Sequence, residues 1–94
     1  MFERIIQIAE QKPLGEVFEQ TRNLISQQTP EARKSLVEDE SAMSLLANIV
    51  QGYDGDRRIQ KAKELAESFG TENSQNLEAY DFLSKALGLK TSIQ

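Results

Sequence analysis

Carboxylates, amines and guanidines carry nearly all the reactive chemistry available to this sequence. It holds 15 Asp and Glu, 11 Lys and Arg and two Tyr, but neither His nor Cys. Without His the usual general base near neutral pH and the commonest metal ligand are both missing. Without Cys, thiol nucleophiles, disulfides and thiolate zinc sites go too. The carboxylates are left to act as an acid/base pair or to hold a hard cation. Asp54 and Asp56 open with the spacing of a calcium loop, yet Arg57 and Arg58 stand where further oxygen ligands belong. Turn and capping roles suit these two aspartates better. The run Glu38-Asp39-Glu40 reads as a solvated surface, and Tyr53 and Tyr80 read as core or rim residues on apolar faces. The five glycines stand singly, so no phosphate-cradling loop is present. No cofactor and no catalytic residue is expected.

The basic residues offer a more specific signal. Arg57, Arg58, Lys61 and Lys63 crowd the first half of a predicted helix, with Glu64 and Glu67 later. The helix macrodipole favours the reverse order by about 0.3–1 kcal/mol per exposed charge. Arg57 and Lys61, four residues apart, also repel each other. Either the cluster faces solvent or pairs with Glu38 to Glu40, or it is a docking patch for an acidic protein surface. The second reading makes Arg57, Arg58 and Lys61 the partner-binding residues, with Tyr53 adding apolar contact. On this reading the arginines do little for the isolated fold.

The elements that position these residues follow from apolar spacing. Phe2, Ile5, Ile6 and Ala9 share one face of a short helix, and Pro13 breaks or kinks the chain after it. Leu14, Val17, Phe18, Thr21, Leu24 and Ile25 make a second face. Thr29-Pro30 starts another helix, with a hydroxyl to cap and a proline where the missing N–H costs nothing. It carries Ala32, Leu36 and Val37. Asp39 either caps a fresh helix or lies within a longer one. Ala42, Met43, Leu45, Leu46, Ile49, Val50 and Tyr53 then form the most apolar segment, the expected central helix, which Gly52 and Gly55 end in left-handed conformations. Asp54 or Asp56 caps the next helix, faced by Ile59, Ala62, Leu65, Ala66 and Phe69 and closed by Gly70. Asn73 or Ser74 starts the last, with Leu77, Tyr80, Leu83, Ala86 and Leu87 inward and a glycine C-cap at Gly88-Leu89.

These segments predict an all-α fold, a small antiparallel helical bundle in a single domain over 1–89, with 90–94 a frayed tail. They form four helical arms, or five or six helices where the breaks near Pro13 and Asp39 are complete. No run reaches the ~18 apolar residues of a membrane span, so an integral membrane protein is not expected. Met1 is followed by Glu3 and Arg4, not by the apolar block of a signal peptide, which suggests a cytoplasmic protein. A net charge of −4 disfavours a general nucleic-acid binder.

Two resemblances bear on function. Ala62-Lys63-Glu64-Leu65-Ala66-Glu67-Ser68-Phe69-Gly70 resembles the first helix and turn of repressor-type helix-turn-helix proteins. However, Thr71 and Asn76 occupy places where that motif wants apolar residues, and the would-be reading helix presents Glu78 and Asp81 against Lys85. A DNA-binding regulator is therefore a distant expectation. The size, the four-arm plan and the segment Asn76-Leu77-Glu78-Ala79-Tyr80-Asp81-Phe82-Leu83 are similar to the bacteriocin immunity proteins of Gram-positive bacteria. That resemblance implies a helical bundle that protects a producer cell from its own pore-forming peptide, with specificity near the C-terminus. The first expectation is a non-catalytic protein-interaction module, and an immunity protein is a special case of it.

Overall fold

A computed structural model describes residues 2–89, without the side chain of Phe2. Among the described residues it is all-α. The helices are α1 (Phe2–Gln11), α2 (Leu14–Ser26), α3 (Pro30–Val37), α4 (Glu40–Gln51), α5 (Gly55–Glu67) and α6 (Gln75–Leu87), with a 3-10 turn at Glu72–Ser74 before α6. The breaks near Pro13 and Asp39 are both complete, so the helical arms are six separate helices. The tail expected over 90–94 lies outside the described residues.

The helix starts follow local chemistry. Thr29 is extended and its hydroxyl accepts the Ala32 N–H at 3.1 Å, with Pro30 in the first turn. Asp39 does the same for α4, accepting the Ala42 N–H at 3.2 Å. Helix α4 is the central one: α1, α2, α3, α5 and α6 all pack on it. It buries Ala42, Met43, Leu46, Ala47, Ile49 and Val50. Phe18, Ile25, Leu65, Phe69 and Leu83 close the core around it, each fully buried.

One device ties successive helices together. The Arg33 guanidinium donates to the carbonyls of Ser26 and Gln28, at 3.4 and 3.0 Å. It reaches back from the first turns of α3 to the carbonyl-rich end of α2, where partial negative charge collects. The same group lies beside Gly70, whose φ of +79° closes the turn after α5.

Helix α6 is turned away from its apolar pattern. Gln75, Ala79, Tyr80, Leu83 and Ser84 face inward, whereas Leu77 is 52% exposed and Ala86 is exposed. Apolar spacing alone places Leu77 and Ala86 inside. The preceding turn explains the change. Asn73 and Ser74 both take left-handed conformations, with φ of +54° and +58°, at about 1–2 kcal/mol each for a residue with a Cβ. The Gln75 amide then donates to the Pro30 carbonyl at 3.1 Å, pinning α6 to the start of α3. At the other end the pattern holds: Gly88 is left-handed and the Leu89 N–H bonds Ser84 O at 2.9 Å.

Candidate functional site

The sequence-predicted residues Tyr53, Arg57, Arg58 and Lys61 fall together where the α4–α5 turn meets α2, but not in one role. Arg57 and Lys61 line a cleft of about 550 Å³ with Leu14, Glu19, Tyr53 and Asp54. Tyr53 is the aromatic residue of its lining. The Phe18 and Tyr53 rings meet edge to face, centroids 5.8 Å apart and planes at 77°. Lys61 Nζ lies 4.6 Å from the Phe18 centroid and 5.3 Å from that of Tyr53. The Arg57 guanidinium stands 5.8 Å over the Tyr53 ring. Ring quadrupoles hold cations in such places, for about 0.5–1 kcal/mol each at an exposed site. Phe18, over whose ring Lys61 Nζ lies, is fully buried.

Arg58 has a different task. Its Nε donates to Tyr53 O at 2.8 Å and its Nη2 to Gln51 O at 3.0 Å. These acceptors lie five and seven residues back, the same spacing that links Arg33 to Gln28 and Ser26. An arginine near the start of α5 is therefore favourable, because its charge sits on the last carbonyl of α4, that of Gln51, and on the Tyr53 carbonyl just past it. This corrects the expectation that both arginines contribute little to the fold. No ion pair joins the cluster to Glu38, Asp39 or Glu40 among the described residues.

Charge is unevenly compensated around the cleft. Arg22 holds Glu19 at 2.7 Å and Glu64 at 3.6 Å, and Lys61 approaches Glu64 only at 3.9 Å. Arg57 makes no ion pair with a described residue. Asp54 precedes α5 in an extended conformation, but its carboxylate makes no cap bond. The first residue of the helix, Gly55, has a φ of +53°, which breaks the geometry a cap needs. Gly52 is not left-handed as expected; its φ is −69°. A Cβ there would stand 2.7 Å from Leu14 Cδ2, so a larger residue would push the half-exposed Leu14 side chain aside. Partial burial pushes the Tyr53 phenol above its ordinary value, with Arg57 pulling it down and Glu19 and Glu64 pushing it up.

Sequence reasoning missed Leu14, Glu19 and Arg22. The signal was present in Leu14, Phe18 and Arg22, four residues apart along one stripe of α2. At the other candidate sites, Asp54 and Asp56 stand at the start of α5, and no group of three carboxylates suited to a metal occurs among the described residues. Past Gly70, Thr71 is exposed and Lys85 is paired with Asp81 at 3.1 Å.

No family model, no curated protein and no solved structure matches the chain. The similarity of Asn76-Leu83 to the immunity proteins thus rests on sequence alone. No helix among the described residues is long and apolar enough to cross a membrane.

Proposed function

We propose that this protein is a non-catalytic interaction module that docks an acidic protein surface on Arg57 and Lys61, with Tyr53 and Leu14 supplying apolar contact. One observation carries the reading: Arg57 is held over Tyr53 with no ion pair among the described residues. A cation already placed and unneutralised loses little entropy when a carboxylate arrives. Leu14, 39% exposed on the cleft, adds apolar area beside it. Two features support a non-catalytic role. The sequence supplies no His or Cys, and Tyr53 is shifted away from acting as a base near neutral pH.

The test uses the full chain as bait in an extract of its source cells. Wild type is compared with Arg57→Glu and with Lys61→Met, and the melting temperature of each is measured. The reading expects a discrete partner with an acidic contact segment, lost with Arg57→Glu at unchanged stability and weakened by salt. Equal capture by wild type and Arg57→Glu would remove the cleft from the account.

A further inference from the structure

A second groove, between α5 and α6, shares no residue with the cleft. It measures about 180 Å³ and is lined by Lys63, Ala66, Glu67, Asn76, Leu77 and Tyr80. Leu77 is the most exposed large apolar side chain among the described residues. Its exposure is built in, since two left-handed residues and the Gln75–Pro30 bond fix the rotation of α6. That rotation buries Gln75 and Ser84, each 1% exposed, and leaves a leucine outside. Patterning for the isolated fold alone would favour the opposite arrangement.

The charges flanking this groove say what covers it. Lys63 and Glu67 lie one turn apart on α5, both exposed, and neither pairs with a described residue. Lys preceding Glu by four residues is also the weaker order for a pair within one helix. A positive and a negative charge beside an apolar knob and groove are complementary to their own copy turned through 180°. The geometry points to a second copy of this chain, bound through a two-fold axis over the α5–α6 groove. Lys63 of each copy meets Glu67 of the other, and each Leu77 enters the other's groove between Ala66 and Tyr80. Such an interface is isologous and closes at two subunits. Its small apolar area makes a weak, rapidly exchanging dimer. Because the cleft is separate, the dimer presents two clefts and can engage a multivalent partner.

Sedimentation velocity on the full chain, from about 0.01 to about 1 mM, covers the range in which so small an interface populates. Wild type is expected to shift from monomer toward dimer with concentration. Leu77→Glu should stay monomeric. Lys63→Glu and Glu67→Lys should each weaken association roughly tenfold or more, since each sets like charges opposite one another. The double charge swap should recover it, and so should an equimolar mixture of the two single variants, in which every opposed pair is again unlike. Recovery on mixing also shows that the single variants are folded. A wild type monomeric at about 1 mM overturns the proposal. So do single charge variants that dimerise like wild type, or a mixture that fails to recover.

Discussion

Replacing Arg58 by Met keeps the aliphatic stem and removes every donor. Two charge-assisted bonds are lost, 2.8 and 3.0 Å long, from a half-buried side chain. Bonds to charged groups are worth about 1.5–3 kcal/mol when well buried. Here Gln51 is exposed and water can replace the guanidinium at its carbonyl, so the pair together should cost about 1–2 kcal/mol. That range includes the favourable charge at the α4 C-terminus, about 0.3–1 kcal/mol. A chain of 94 residues unfolds with an entropy near 0.2 kcal/mol/K, so each kcal/mol moves the midpoint by about 5 °C. Arg58→Met is therefore expected to melt about 5–10 °C below wild type. Arg57→Met is the control. Its cation–π contact is worth no more than about 1 kcal/mol and is offset by relief of a positive charge at a helix N-terminus, so its melt should stay within about 2 °C. Thermal denaturation followed by circular dichroism at 222 nm reads both. Equal midpoints for the two variants would refute the division of labour between Arg57 and Arg58.

Three further outcomes follow from the same geometry. Arg33→Met should lower the midpoint as Arg58→Met does, because it removes the corresponding contacts to the last carbonyl of α2 and to Gln28 O just past it; a melt unchanged from wild type would break the parallel. Leu46→Ala, fully buried in α4, should cost about 2–5 kcal/mol through lost contacts and a residual cavity, and a loss under about 0.5 kcal/mol by urea titration would misplace the core. Tyr53, followed by phenolate absorbance in a Tyr80→Phe background, should titrate above its ordinary value of 10.0. The folded state then holds this proton more tightly than the unfolded one. Its stabilising contribution is present below about pH 10 and is lost as pH rises through the folded value. Arg57→Gln should move the titration higher and Glu19→Gln lower; a fall with Arg57→Gln would remove the guanidinium from the ring.

Local signals in the sequence marked most helix boundaries. Thr29-Pro30 acts through its own hydroxyl and ring within a few residues, so it is readable without knowledge of the fold. At Pro13 and Asp39, by contrast, the sequence alone leaves open whether the helix breaks or continues. The central position of α4 was equally legible from the breadth of its apolar face. Helix α6 was not, because its rotation is fixed by a bond between Gln75 and Pro30, 45 residues apart. Apolar periodicity does not register such a contact, and it assigned Leu77 to the wrong side. The basic cluster was visible as a charge order that opposes the macrodipole of α5. The macrodipole of α4 was the missing half: Arg58 sits on that helix's carbonyl end, which only the turn between the two helices brings within reach. Arg33 and Arg58 each stand four residues after the residue that precedes their helix, Thr29 and Asp54, and that shared place was the available clue. Gly52 reads from sequence as a left-handed position, whereas its φ is ordinary and Leu14 packs against it.

The docking cleft is tested most directly by photo-crosslinking from within it. Leu14, exposed on its rim, is replaced by a photoreactive phenylalanine, and exposed Ser35 on α3 is replaced likewise as a control. Illumination in an extract of the source cells should give a discrete adduct from position 14 and none of that mass from position 35. The attached segment should carry carboxylates, and Arg57→Glu should abolish the adduct. An adduct of the same mass from both positions, or one from position 14 that survives Arg57→Glu, would contradict the assignment of the cleft.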